Sequence, residues 1–195
     1  MEEVMKRSFF MVMFVLVFAM TSITAFAQQD KIRKSLPASV SQTIGVDTKI
    51  TIDYSRPGVK DRVIWGELVP YGLNPGNRYS NDKPFPWRAG ANENTTIEFS
   101  KDVLVDGHKL AAGKYGLHMI PGKEEWVIIF NTINDSWGSF QYDESKDALR
   151  VSVLPLEAPF CEWLMYGFDQ LDGTSARAYL HWEKLLVPFT ISLPE

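Results

Sequence analysis

From Ala38 onward, Gly, Pro, Asn or Asp interrupts the chain roughly every eight to twelve residues, and the runs between are short and β-rich. No stretch of about 10–12 residues carries a helical period, so strands joined by turns are what remains to bury apolar side chains. "KITIDYS" sets Ile50, Ile52 and Tyr54 against Lys49, Thr51 and Asp53, the alternation of a half-buried strand. "TTIEFS" places Thr95, Ile97 and Phe99 on one face in the same way. "DVLVDGHKL" carries Asp106-Gly107, a hairpin signal because both turn positions need positive φ. "KYGLHMI" and "EWVIIFN" flank "PGKE" as a second hairpin, and their two apolar faces predict a place in the middle of a sheet. "ALRVSVL", "CEWLMYGFD", "SARAYLHWEKL" and "VPFTISL" complete the series. The expected fold is one all-β domain: an antiparallel β-sandwich or jelly roll of about nine to ten strands, with a closed β-barrel as the alternative.

The N-terminal segment has a different character. Lys6 and Arg7 precede the apolar run Ser8–Met20, and Ala25-Phe26-Ala27 offers small residues at a cleavage site. That pattern is a signal peptide over residues 1–27 with cleavage after Ala27, and the apolar run is short for a membrane span, which takes about 20 apolar residues. No cysteine directly follows the run, which argues against a lipid-modified N-terminus. The expected product is periplasmic or extracellular, with a mobile leader over 28–37 and a single β domain over 38–195. Glu2 and Glu3 cancel Lys6 and Arg7, so the net charge of −4 survives cleavage. A mildly acidic chain without a basic cluster is poorly suited to nucleic acid or to an anionic membrane surface. Cys161 is the only cysteine, which rules out an intramolecular disulfide, and its apolar neighbours predict a buried, unreactive thiol.

Chemistry concentrates in "WRAGANENTT". Arg88, Asn92 and Glu93 stand beside Trp87, with Arg56 available from "DYSRPGVKDR". Two accounts fit these residue types. In one, Arg88 or Arg56 pairs with Glu93 or Asp53 and pins a long crossover. In the other, Trp87 stacks on a ligand ring while Arg88, Asn92 and Glu93 hydrogen-bond its polar groups, with Arg56 in support. Of the six tryptophans, Trp126, Trp163 and Trp182 read as core, while Trp65, Trp87 and Trp137 lie near turns and could meet a sugar ring. No metal site is expected, because His108, His118 and His181 lack zinc spacing and "YDESKD" lacks a calcium-loop pattern. There is no nucleophile elbow around "WGSF" and no phosphate-binding glycine loop, so no cofactor is expected. Asp53, Glu93, Glu98 and Glu162 are available for a carboxylate pair.

The blocks "VSQTIGVDTKITIDYSRPGVKDRVIWGELVPYG", "WRAGANENTT", "LAAGKYGLHMIPGKEEWVIIFN", "SWGSFQYDESKDALRV" and "HWEKLLVPF" occur in order and cover nearly the whole chain beyond the leader. Together they closely resemble an exported bacterial family catalogued as domain of unknown function 2911. The resemblance implies no established reaction, cofactor or catalytic residue. In the family pattern "VPYG" runs almost directly into "WR", so Leu73–Pro86 stands here as an inserted loop that a solvated turn or a lid would explain. The expected function is non-catalytic binding of a polar small molecule or glycan. The alternatives are a hydrolase using a carboxylate pair and an interaction domain whose partner is another envelope protein.

Overall fold

The structure, a computed structural model, describes Glu3 and residues 32–194. The expected signal peptide and the first residues of the expected leader lie outside the described residues, apart from Glu3. Ten strands follow: β1 (Leu36–Ile44), β2 (Thr48–Arg56), β3 (Thr96–Phe99), β4 (Val103–Val105), β5 (His108–Leu110), β6 (Gly113–Ile120), β7 (Trp126–Asn131), β8 (Asp147–Val153), β9 (Leu156–Asp169) and β10 (Ser175–Ser192). They form two separate antiparallel sheets, a six-stranded one in the order β1-β2-β3-β6-β7-β8 and a four-stranded one in the order β5-β4-β10-β9. This is the sandwich; two distinct sheets set the closed barrel aside.

Residue periodicity explains most of the strands. On β2, Ile50 and Ile52 are fully buried and Tyr54 nearly so, while Lys49 between them and the turn is exposed. On β3, Ile97 and Phe99 face the core and Glu98 faces water. The β6–β7 hairpin is interior as its apolar faces require, with Tyr115 to Met119 buried without a break. Asp106 and Gly107 adopt φ of 44° and 82° at the β4–β5 turn, where an L-residue without a short polar side chain would be strained.

Three boundaries differ from the pattern. β1 already begins at Leu36, so the last two leader residues are paired strand, Leu36 with Arg56 and Pro37 with Ser55. "SARAYLHWEKL" and "VPFTISL" are one continuous strand rather than two, since β10 absorbs the irregularity in bulges around Glu183, whose φ is 56°. Bulges let a long strand bend without ending it. Trp163 belongs to β9, an edge strand, and is 42% exposed, whereas an apolar run alone suggested core.

Two features position the site. Past Arg56 the chain leaves the first sheet and pairs with β9 of the second: Val59 N–H donates to the Glu162 carbonyl at 2.9 Å and Leu164 N–H to the Pro57 carbonyl at 3.0 Å. Trp65, Trp87, Trp126 and Trp182 then meet between the sheets, with Trp65 edge-on to the other three at 4.9–5.8 Å. Such edge contacts suit the ring quadrupole.

Candidate functional site

The segment from Trp87 to Thr95 crosses from the inserted loop to β3, and its backbone is held at almost every step. Trp87 exchanges two hydrogen bonds of 2.9 Å with Met119 of β6. The Ala89 carbonyl, in a residue at φ 50°, accepts from the Thr95 hydroxyl at 3.1 Å and from the buried Tyr166 hydroxyl at 2.8 Å. Asn92, at φ 63°, donates its side-chain amide to the Ser35 carbonyl at 3.1 Å. Asn94 N–H reaches the Ser136 carbonyl at 3.1 Å. These bonds satisfy irregular backbone that would otherwise be buried unpaired.

Arg88 works in two directions. Its guanidinium donates to the Asn92 carbonyl and lies 4.9 Å from the centre of the Phe140 ring. It also packs against Gly138, which sits at φ 66°. Burial depresses the Arg88 pKa, a sign of a cation drawn partly out of water. A β-carbon at Gly138 would land on the guanidinium. Gly138→Ala should therefore cost about 1–2 kcal/mol for the left-handed backbone and push Arg88 out of its place. Urea melts read the first effect and a crystal structure of the variant the second.

Beside this crossover lies a pocket of about 580 Å³. Trp87 and Trp182 form its floor, Leu68, Val69, Phe85 and Pro86 supply apolar wall, and Lys34, Lys60, Arg62 and Arg88 also line it. Trp87 is only 8% exposed and stacks on Trp182, with ring centres 6.1 Å apart and planes at 17°. It therefore serves as floor and has one face covered, rather than offering an open ring for stacking. Of the five residues singled out from sequence, Trp87 and Arg88 line the pocket and the other three lie outside its lining. Arg56 donates to the Leu164 carbonyl at 2.9 Å and ties β2 to β9. Asn92 fastens the crossover to Ser35, and Glu93 is exposed on it. Neither arginine forms the ion pair expected with Asp53, which faces Lys114 at 3.7 Å instead. "WRAGANENTT" is thus a pocket wall at Trp87, Arg88, Gly90 and Ala91 and a clasp beyond them.

The inserted loop closes on itself. Asn74 and Phe85 exchange backbone hydrogen bonds at 2.8 and 3.2 Å across its base, and the buried Ser80 hydroxyl donates to the Lys83 carbonyl at 2.7 Å. Asn74, Phe85 and Pro86 carry that base into the pocket wall.

Sequence reading missed one buried polar pair. His118 Nδ1 lies 2.7 Å from the Ser139 hydroxyl, with the two residues 2% and 1% exposed. Burial pushes the His118 pKa down to about 4, aided by Arg88 and opposed by Asp147. The two residues stand on different elements 21 positions apart, so no spacing could have joined them. Their seclusion makes them a fastening between β6 and the 132–146 segment, since a nucleophile must be reachable. Nearby, the Asp147 carboxylate is occupied by Tyr142 at 2.7 Å, Arg150 at 2.6 Å and Asn131 at 2.6 Å, which accounts for "YDESKD" as structure. Among the described residues there is no group of three or more His, Cys, Asp or Glu placed to hold a metal. Cys161 is half-buried, and burial raises its pKa.

No curated protein and no solved structure matches the chain. A family model described as "Protein of unknown function (DUF2911)" matches residues 35–191, which takes in all of the pocket lining but Lys34. With that match spanning β1 to β9 whole and all of β10 but Ser192, the chain belongs to the DUF2911 family.

Proposed function

We propose that the protein binds a polar small molecule or glycan without transforming it, in the pocket floored by Trp87 and walled by Arg88. The observation that carries this reading is the cavity itself: about 580 Å³, with a tryptophan floor, apolar walls and polar groups converging from four separate segments. Volumes of about 300–1,000 Å³ with a few convergent polar groups are typical of small-ligand sites. The lining contains no carboxylate, so a hydrolase built on a carboxylate pair finds neither acid nor base there. An export signal at residues 1–27 would deliver this pocket to the envelope space, where glycan fragments and small polar metabolites circulate.

A melting-temperature screen of protein produced from the full chain tests the reading. A ligand at 100 times its dissociation constant adds about 2.7 kcal/mol, a shift of several degrees in a domain of this size. Leu68→Trp supplies the control, since Leu68 is an exposed wall residue whose enlargement fills the pocket without touching the core. The expected result is a stabilising ligand whose effect disappears in Leu68→Trp. A screen in which no small molecule shifts the wild type, or a ligand that shifts Leu68→Trp equally, overturns the proposal and turns attention to envelope protein partners.

A further inference from the structure

The lining contains four cationic side chains, Lys34, Lys60, Arg62 and Arg88, and no acidic one, in a chain whose net charge is −4. Elsewhere this protein pairs its cations readily. Lys101 meets Asp47, Lys114 meets Asp53, Arg150 meets Glu144 and Asp147, and Arg177 meets Asp169. Among the described residues no such ion pair involves any of the four pocket cations.

What they touch instead is backbone and aromatic surface. Arg62 donates to the Val59 and Gly58 carbonyls, which fixes its guanidinium without neutralising it. Arg88 donates to the Asn92 carbonyl and rests on the Phe140 ring. The Lys60 ammonium stands 5.3 Å from the centre of the Trp163 ring. The Glu162 carboxylate accepts the Lys60 backbone N–H at 3.0 Å, not its ammonium. Like charges gathered over a tryptophan floor raise one another's energy, and an anion bound among them relieves that cost.

On the reading that this pocket binds a small molecule, we infer that its ligand is a small organic anion, whose carboxylate or phosphate lies among Lys34, Lys60, Arg62 and Arg88 and whose body rests against Leu68, Phe85 and Pro86. Arginine held by its own backbone presents its remaining donors as a fixed fork, the geometry that suits two oxygens of one anionic group. The lysines at the rim add charge without fixed direction. A neutral sugar would leave the four charges uncompensated, whereas a sugar acid or sugar phosphate would not.

The test compares glucose, glucuronic acid and glucose 6-phosphate by calorimetric titration on protein from the full chain. The wild type should bind one or both charged probes and bind glucose at least about tenfold more weakly, a difference of about 1.4 kcal/mol. Raising the salt concentration should weaken the charged probe, because partly exposed charges are screened. The double variant Lys34→Gln/Lys60→Gln alters two exposed side chains and should melt as the wild type does while losing about tenfold or more in affinity for the charged probe. Which probe wins separates a carboxylate ligand from a phosphate one. If glucose binds as well as its charged relatives and salt has no effect, the inference is overturned while the binding pocket stands. Equal affinity in the double variant overturns it too. If no small molecule of either kind binds, the pocket reading fails first and takes the inference with it.

Discussion

Trp182→Ala should lower stability by about 3–5 kcal/mol, the range found when a fully buried large aromatic is truncated. Trp182 is 1% exposed, sits at the middle of β10, and touches Trp65 and Trp87 at ring separations of 5.7 and 6.1 Å. Its indole N–H also donates to the Glu162 carbonyl at 3.3 Å, so truncation removes a bond as well as volume. In a domain of this size each kcal/mol moves the melting temperature by about 2–4 °C, giving an expected fall of about 6–20 °C. Trp182→Phe should recover much of it, because a smaller ring keeps part of the edge contact with Trp65. The same residue underlies the pocket, so ligand stabilisation should vanish in the alanine variant even below its melting point. A loss of less than 1 kcal/mol in urea unfolding would mean that the tryptophan cluster is not where the two sheets are held together.

Acid should unfold the protein earlier than its carboxylates alone dictate. The His118 pKa is held at about 4 by burial, against an ordinary value near 6.5 in the unfolded chain. Between those two values the unfolded state binds a proton that the native state refuses, so stability falls as pH drops. The stabilisation is complete above about pH 6.5 and is lost progressively down to about pH 4. At about 1.4 kcal/mol for each pH unit of difference, the total is about 3 kcal/mol. His118→Asn keeps a polar atom for Ser139 and removes the titration. The variant should be less stable at pH 8 because a cavity replaces the ring, yet the gap to the wild type should narrow steadily from pH 6.5 to 4. Parallel stability curves for the two proteins over that range would show that His118 does not drive the acid transition.

The strands were legible because their information is local. Alternation over Lys49–Tyr54, the Asp106-Gly107 pair and the doubly apolar β6–β7 hairpin each declare themselves within a few residues. Trp163 was read as core because an apolar run carries no mark of whether its strand lies at an edge or in the middle. β10 was read as two strands, and only its tertiary contact with β4 and β9 shows the strand continuing past Pro188. The site was legible by half. Trp87 and Arg88 are neighbours in sequence and remain neighbours in the pocket, but Lys34, Lys60 and Arg62 join them only after β1 and β2 have paired and the chain past Arg56 has crossed to β9. Asn92 and Arg56 showed the right chemistry for a ligand and spend it on the Ser35 and Leu164 carbonyls instead.

The eighteen residues of β10 have a consequence for the order in which the molecule can assemble. The strand pairs with β9 along its first part and with β4 at Ile191 and Ser192, so the β4–β5 hairpin has no neighbour in its sheet until the tenth strand exists. The six-stranded sheet draws only on residues 36–153 and can pair earlier. The four-stranded sheet, and with it the face that covers the tryptophans, waits for the last part of the chain to be made. A chain whose last strand is not yet made therefore has only one sheet of the sandwich to form, with its apolar face uncovered. Closure of the sandwich is expected to depend on non-local pairing made late in the chain.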